Sequence, residues 1–359
     1  MADTSPLVDT YGLFIDGSWV EPDAGRYDVI NPATERSITS APDASVGQVQ
    51  DAISAARSAF DSGSWSGLDP AERARCIQQL SDAMLARADE INGLAQAEWG
   101  CSANERIIHV EGPAFMVGHA AELAVEPAEA PLDAWGAAGR TLLRYEPLGV
   151  VSILTPWNFP HTLNAMKVGV ALAAGNTVVL KPSPLTPLAA LALARLIDEE
   201  TDIPAGVVNV VTPTSVEASR TLTVDPRVDM VSFTGSSAVG RNVMAGAAET
   251  MKRILLECGG KSASVLLDDA EVVNGTVRYI RENRLNAQRA FEWRMLELQA
   301  LWSRASHPMV LDRLNDLEDL MIRVLNRLLG ANDPMDLEGL EESVIIVAPN
   351  LTPSLTVHL

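Results

Sequence analysis

The sequence predicts an α/β fold in which a doubly wound parallel sheet carries helices on both faces. Between residues 150 and 267, short β-branched runs alternate with helical stretches, a pattern typical of parallel pairing. The runs are almost continuously apolar, as burial on both faces of a sheet requires. The predicted strands are Val150–Leu154, Thr177–Leu180, Val207–Val211, Met230–Phe233, Ile254–Glu257 and Ser264–Leu267. The predicted helices between them are His161–Ala174, Leu188–Glu200, Ser215–Leu222 and Ser237–Thr250.

The first 150 residues are predicted to hold three strands, several helices and an irregular segment. Leu13–Val20 alternates, and we expect it to pair as a hairpin with a strand at Tyr27–Ile30. Helical spacing begins in Val46–Phe60 and continues through Pro70–Ala88. The stretch 127–138 is rich in Ala, Pro and Gly, and Arg140–Tyr145 then alternates like an exposed or paired strand.

The character of the chain changes after about Asn286, where Arg and Leu become dense. The spacing predicts one amphipathic helix over Met309–Leu329, with an apolar stripe along one side. Ser343–Val347 is a short β-like patch before a Pro-broken end. The tail therefore predicts a mainly helical region that differs in kind from the alternating region before it.

The composition favours a globular protein without nucleic-acid or membrane partners. The 47 Asp and Glu outnumber the 27 Lys and Arg, and a net charge of −20 repels nucleic acid and anionic membranes. The three cysteines have no metal-type or redox-type spacing, and none of the five histidines is paired with a second ligand at metal spacing, so we predict no metal. The N-terminus lacks the pattern of a secretory signal, and a cytoplasmic location is expected.

Polar residues follow several predicted strands at their carboxyl ends, where open α/β sheets bind ligands. The hexapeptide Thr155-Pro156-Trp157-Asn158-Phe159-Pro160 comes directly after the first strand of the alternating region. The Asn158 amide is suited to donating a hydrogen bond to a developing oxyanion. The alternative, a Pro-bounded turn with Asn158 as a turn former, stays equally open on these residues alone.

Two further motifs are suited to a nucleotide. Lys181-Pro182-Ser183 follows a strand, and its lysine could bond a ribose or phosphate, although a surface lysine there is commonplace. Phe233-Thr234-Gly235-Ser236 ends another strand, with Gly240 in the helix behind it. A helix N-terminus capped by serine is an anion site suited to a pyrophosphate, and an ordinary capped helix is the alternative.

Glu257 ends the strand Ile254–Glu257 and precedes Cys258-Gly259-Gly260-Lys261. A carboxylate buried at such a place is a usable general base near neutral pH. The alternative is an ion pair with a nearby cation such as Lys261. Because neighbouring strand residues point to opposite faces, we expect Cys258 to be a small buried side chain turned away from Glu257.

These motifs, in this order and spacing, resemble the aldehyde dehydrogenase superfamily from about Leu13 to about Ala270. The segments Phe14-Ile15-Asp16-Gly17-Ser18-Trp19 and Asn31-Pro32-Ala33-Thr34 resemble the N-terminal signatures of the same family. The resemblance implies a cofactor-binding domain over 1–124 and 149–258, an oligomerisation arm over 125–148, and an incomplete, remnant catalytic domain over 259–359. A homo-oligomer is implied too, weakened by the unmatched C-terminal region.

The resemblance also implies an activity, a cofactor and residue roles. The reaction is the NAD(P)-dependent oxidation of a small-molecule aldehyde to a carboxylic acid through a thiohemiacetal and a thioester. Asn158 is implied as the oxyanion donor and Glu257 as the group that activates water. The implied cofactor-binding residues are Thr155, Pro156, Trp157, Lys181, Ser183, Phe233, Thr234, Gly235, Ser236 and Gly240. NAD is the first choice, and NADP stays open because Pro184 stands where many NAD-preferring members have a glutamate.

The resemblance ends just before the family's nucleophilic cysteine. Setting Asn286 on the family's Asn-x-Gly-Gln-x-Cys pattern puts Phe291 at the cysteine, and no cysteine follows Cys258 in the sequence. We therefore expect a C-terminal part that is truncated or frameshifted. The alternative function is a catalytically dead, nucleotide-binding fragment or pseudoenzyme.

Overall fold

The structure is a computed structural model that describes residues 12–132, 141–259 and 270–304, together with Glu318, Leu320, Met321, Ile322, Val324 and Leu325. The chain divides into two compact units, Met1–Gly260 and Lys261–Leu359. Within the described ranges, no helix is both long enough and apolar enough to cross a membrane.

The first unit contains the predicted alternation of strands and helices. Its strands are β1 (Leu13–Ile15), β2 (Ser18–Val20), β3 (Arg26–Asn31), β4 (Arg36–Pro42), β5 (Glu129–Leu132), β6 (Thr141–Arg144), β7 (Val150–Leu154), β8 (Thr177–Lys181), β9 (Val208–Val210), β10 (Met230–Gly235) and β11 (Arg253–Cys258). Its α-helices are α1 (Val46–Asp61), α2 (Pro70–Ala86), α3 (Ala88–Glu98), α4 (Gly112–Leu123), α5 (Pro160–Ala173), α6 (Leu188–Glu200), α7 (Val216–Val224) and α8 (Ser237–Ala248). A 3₁₀ turn (Ala103–Glu105) and a π-helical segment (Ile107–Glu111) lie between α3 and α4.

A seven-stranded sheet forms the centre of this unit, in the order β11-β10-β7-β8-β9-β1-β2. The five strands from β11 to β9 pair in parallel, whereas β1 and β2 are antiparallel. Side chains of β7 alternate between two hydrophobic cores. On one face of the sheet, Val151 and Ile153 pack with residues of α2, α4, α5 and α6. On the other face, Val150 and Leu154 pack with residues of α1, α7 and α8. Helices therefore cover both faces, which confirms the doubly wound α/β fold.

The N-terminal hairpin differs from the prediction. β1 pairs with β2, and β3 pairs with β4 instead of with the Leu13–Val20 segment. The tight turn between β1 and β2 is Asp16-Gly17, and both residues have positive φ, at 52° and 70°. An Asp-Gly pair in this conformation closes a two-residue hairpin whose twist matches its strands. The predicted pairing with Tyr27–Ile30 is wrong because this local turn closes the hairpin first.

A separate two-stranded ribbon, β5 with β6, lies within the segment predicted as an oligomerisation arm. All four residues of β6 are exposed, Leu142 and Leu143 among them. A ribbon of this kind has little core of its own, so an apolar partner would stabilise it. Its role as an arm stays a prediction.

In the second unit the structure describes two complete helices, α9 (Ala270–Asn283) and α10 (Ala287–Trp302). They pack through Val272, Phe291, Met295 and Leu298, and apolar side chains around Met321 pack against this cluster. The described positions between 318 and 325 are helical, in agreement with the predicted amphipathic helix over Met309–Leu329. The predicted strand Ser264–Leu267 and the patch Ser343–Val347 lie outside the described residues.

Candidate functional site

The parallel strands bring the predicted site residues to one edge of the sheet. β7 ends at Leu154, β8 at Lys181, β10 at Gly235 and β11 at Cys258. In the register, Leu154 lies beside both Lys181 and Phe233, and Gly235 lies beside Cys258. Because parallel strands end at a common edge, Asn158, just after β7, and Glu257, near the end of β11, are carried on the same edge.

The turn after β7 is anchored at its first residue and strained near its last. The buried Thr155 hydroxyl donates a hydrogen bond to the Asn164 carbonyl oxygen Oδ1 at 2.7 Å, and its backbone N–H donates to the Lys181 carbonyl at 3.1 Å. Pro156 is half-buried, whereas Trp157 and Asn158 are exposed. Phe159 adopts a left-handed conformation with φ 56°, unusual for a bulky residue, and α5 begins directly after it. The turn therefore presents Asn158 outward at the sheet edge.

Lys181 is a buried cation at the end of β8. Its Nζ donates to the Pro182 carbonyl at 2.9 Å, and burial lowers the pKa of this lysine to about 8. The neighbouring Ser183 is half-buried, and its hydroxyl accepts a hydrogen bond from the Leu185 N–H at 3.2 Å. Lys181 thus loses its charge as the pH rises through about 8, and it lines the cleft between α7 and α8.

A cleft of about 550 Å³ lies between α7 and α8 and reaches the ends of β7, β8 and β10. Apolar side chains line much of it, among them Phe233 and Val243. The polar groups include Lys181 and an ion pair between Arg220 and Glu249, whose Nη2 and Oε1 atoms are 3.1 Å apart. A concave, mainly apolar wall with a few polar groups is the usual form of a small-molecule site.

The N-terminus of α8 follows β10 through the predicted glycine and serine. The Ser236 hydroxyl caps the helix by accepting from the Val239 N–H at 3.3 Å. A Cβ added at Gly235 would lie 2.6 Å from the Phe233 ring, so a larger residue there would displace that buried ring. The half-buried Thr234 has a buried hydroxyl that lacks a hydrogen-bond partner among the described residues.

Gly240 permits α8 to pack closely on β11. A Cβ at Gly240 would lie 2.7 Å from the Cys258 sulfur. Cys258 therefore faces α8, on the sheet face opposite Glu257, as the strand alternation predicts. It is exposed, however, so the expectation of a buried thiol is wrong.

Glu257 is exposed, and the prediction that it is buried at the end of an apolar strand is wrong. The physical reason is the position of β11, which lies last in the order of the strands that the structure describes, and none of its six residues is buried. The alternative partner Lys261 lies outside the described residues.

A second buried lysine, which the sequence analysis did not single out, lies on the Glu257 side of the sheet. The Lys167 Nζ donates to the Ser232 hydroxyl at 2.8 Å. Burial lowers the pKa of Lys167, and the nearby charge of Glu257 acts in the opposite direction. A lysine among the buried positions of α5 was the signal that could have identified it, because lysine is rarely buried without a partner.

His161 in the first turn of α5 is unsuited to acid–base chemistry at neutral pH. It is buried, and desolvation, with a smaller effect from His109, lowers its pKa to about 3. Its place at the start of the helix agrees with a packing role. Glu98 is likewise buried and structural, because its carboxylate accepts from the Leu188 and Ala189 N–H groups at the start of α6.

Comparison with known proteins agrees with this architecture. Residues 19–288 match the model of the aldehyde dehydrogenase family, which is most of the chain. The chain belongs to the aldehyde dehydrogenase family. A 3-succinoylsemialdehyde-pyridine dehydrogenase from a Pseudomonas species is 39% identical over 275 residues, covering 76% of this chain and 56% of that protein. The mitochondrial succinate-semialdehyde dehydrogenase of Arabidopsis thaliana is 38% identical over 278 residues, covering 76% and 52%.

Solved structures of the family have the same fold. A crystal structure of betaine aldehyde dehydrogenase from Staphylococcus aureus in complex with NAD⁺ aligns with a TM-score of 0.70 and 27% identity. The alignment covers 80% of this chain and 61% of that one. The chain spans about half the length of the curated family members it matches.

The segment that the resemblance sets on the family's nucleophile pattern, from Asn286 to Phe291, lies at the start of α10. The side chain of Asn286 caps this helix by accepting from the Arg289 N–H at 2.9 Å. Phe291 is buried in the α9–α10 core beside Val272 and Met295. The match to the aldehyde dehydrogenase family ends at residue 288, just before it.

Proposed function

We propose that this chain carries the NAD(P)-binding and water-activating half of an enzyme that oxidises an aldehyde to a carboxylic acid. The observation that carries the proposal is the cleft between α7 and α8, which reaches the sheet edge bearing Asn158 and Glu257. Family members of known structure bind NAD⁺, which supports the same cofactor here. Bound NAD(P) would supply the hydride acceptor.

The residues present fit a dinucleotide. The apolar wall of the cleft would hold the adenine, and the buried Lys181 would bond its ribose. Gly235 and the capped start of α8 at Ser236 offer backbone N–H groups to a pyrophosphate. The unpartnered Thr234 hydroxyl is a further polar group at this edge. The walls of the cofactor site on the side of β7 and β8 would be completed by Thr155, Pro156, Trp157 and Ser183. Phe233 and Gly240 would lie behind them.

Asn158 would stabilise the negative charge that develops in the reaction, and Glu257 would accept a proton. The exposed Asn158 amide would donate to the oxygen of the attacked carbonyl, an interaction whose loss typically costs 2.7–4 kcal/mol of transition-state stabilisation. Glu257 would take the proton from the attacking water. The buried Lys167 ammonium lies on the same face and would hold Glu257 toward the site by charge.

NAD stays the first choice of cofactor, and NADP stays open. Pro184, which lines the cleft, offers no carboxylate to a ribose and also none to repel a 2′-phosphate. Arg220 in the same cleft is neutralised by Glu249 and so gives little net attraction to a phosphate. The local charge therefore favours neither cofactor strongly.

A second candidate function is nucleotide binding without aldehyde oxidation. The observation that favours it is Phe291, which is buried in an apolar core at the position that the resemblance sets on the nucleophile. A phenyl ring cannot attack a carbonyl. The exposed Cys258 lies on the sheet face opposite Glu257, which makes it a poor substitute.

Two measurements on the purified chain separate these functions. Calorimetric titration with NAD should show binding under both. Addition of propanal and NAD should produce the absorbance of NADH only if the chain carries out the oxidation. We expect binding with little or no NADH. Rapid production of NADH would overturn the second function. If the chain binds neither NAD nor NADP, both functions are overturned.

A further inference from the structure

Three side chains that ligate metals meet between α3 and α4, away from the cofactor cleft. The Cys101 sulfur, a Glu105 carboxylate oxygen and a His109 ring nitrogen all lie within 4.8 Å of one another. Cys101 lies just before the 3₁₀ turn that ends at Glu105, and His109 lies in the π-helical segment that follows. The 3₁₀ turn and the π-helical segment between these positions adjust their directions so that all three converge.

His109 supplies a second observation that points to a ligand. Its side chain is completely buried, and both ring nitrogens lack a hydrogen-bond partner among the described residues. Buried polar groups are normally paired, and an unpaired one is destabilising. One of these nitrogens points into the cluster with Cys101 and Glu105. A bound cation would give this nitrogen the partner that the protein does not provide.

We propose that Cys101, Glu105 and His109 form a Zn²⁺ site with three protein ligands and an open fourth position. Sulfur, imidazole nitrogen and carboxylate oxygen are the ligands that zinc takes in proteins. The thiolate and the carboxylate together balance the charge of the ion. On binding, the thiol proton is released to solvent.

The geometry needs only small adjustments. Ligand atoms at about 2.0–2.3 Å from a tetrahedral zinc lie roughly 3.5 Å apart, so side-chain shifts of about 1 Å close the site. The Ser102 N–H donates to the Glu105 Oε2 atom at 2.8 Å, which orients the carboxylate and leaves its other oxygen for the metal. Cys101 and Glu105 are half-buried, so an ion can reach the site from solvent.

The ring contacts of His109 suggest what the metal would do. The His109 ring packs edge-on against Trp99, with centroids 4.6 Å apart, and stacks with Phe159 at 6.4 Å. Phe159 is the strained residue of the turn that presents Asn158. A zinc ion that fixes the orientation of the His109 ring would therefore stabilise the conformation of this turn. The inference concerns metal binding alone and stands independently of the proposed function.

The test uses the full chain, stripped with a chelator and titrated with Co²⁺ as a spectroscopic probe. We expect one equivalent to bind, with a thiolate-to-cobalt charge-transfer absorption in the near ultraviolet that Zn²⁺ abolishes by displacement. C101S should lose the charge-transfer band. E105Q and H109Q each remove a direct ligand and should weaken Co²⁺ binding strongly. Loss of a residue that only hydrogen-bonds to a ligand costs roughly 10–100-fold in metal affinity, and we expect a larger loss here.

Matched variants control for other metal-binding groups. C76S removes a buried thiol in α2, and C258S removes the exposed thiol of β11. E122Q removes the carboxylate of an exposed His119–Glu122 pair with atoms 3.0 Å apart. All three should bind Co²⁺ as the wild type does, and circular dichroism checks the fold of each variant. Three results would overturn the proposal. The first is loss of the band in C258S instead of C101S, and the second is unchanged Co²⁺ binding in both E105Q and H109Q. The third is a wild-type chain that binds no Co²⁺.

Discussion

Strands β7 and β11 carry the two predicted reacting residues, and their surroundings are opposite. β7 lies between β10 and β8, and all five of its residues are buried. β11 is last in the strand order, and none of its six residues is buried. The turn that presents Asn158 thus follows a strand in a packed core, whereas Glu257 is carried by a strand with an open side. The difference predicts where substitutions affect stability and where they do not.

The largest expected effect is a difference in the loss of stability between large-to-small substitutions in the two strands. Ile153→Ala in β7 removes a fully buried side chain, and we expect a loss of about 2–5 kcal/mol in the free energy of unfolding. Leu255→Ala in β11 removes a side chain that is 45% exposed and should cost less than about 1 kcal/mol. Urea denaturation followed by circular dichroism measures both. Equal losses would mean that β11 is buried after all.

A smaller effect is expected where α8 touches β11. Gly240→Ala places a Cβ against the Cys258 sulfur, and we expect a destabilisation of about 1–3 kcal/mol, partly offset by the better helix propensity of alanine. Cys258→Ala removes that sulfur, so the double variant should regain most of the loss. The same denaturation series gives the coupling energy. Additive effects would contradict the close packing of Gly240 on β11.

The pH dependence of cofactor binding should report on the buried end of β8. Burial lowers the pKa of Lys181 to about 8, so its ammonium loses its proton as the pH rises through that value. A neutral amine attracts a dinucleotide less, and we expect NAD affinity to fall by up to about tenfold between pH 7 and pH 9. Lys181→Gln should bind more weakly at pH 7 and vary little with pH. Calorimetry at several pH values checks this, and an equally steep profile in the variant would exclude Lys181 as the cause.

The sequence was a good guide to the centre of the sheet because each strand there is a local apolar run. All five parallel strands were predicted within two residues of their observed ends, for example β10, which continues two residues beyond Phe233 to Gly235. The motif residues at the carboxyl edge follow from those strand ends. Local pattern therefore predicts both the layers and the edge on which the site lies.

What the sequence did not predict depends on distant contacts. The exposure of Glu257 and Cys258 reflects which strand lies last in the sheet, a property that no local pattern contains. Lys167 meets Ser232 across 65 residues of chain. The grouping of Cys101 with His109 depends on a 3₁₀ turn and a π-helical segment, whose geometry differs from that of an α-helix.

The most direct test of the account asks whether the cleft between α7 and α8 is the cofactor site. Ala245 is an exposed residue of α8 that lines this cleft, and Ala245→Trp should fill it without disturbing the core. Met244 is its exposed neighbour outside the lining, so Met244→Trp is the matched control. Calorimetric titration with NAD should show wild-type affinity in Met244→Trp and a loss of binding in Ala245→Trp. Equal NAD affinity in the two variants would contradict the assignment of the cleft.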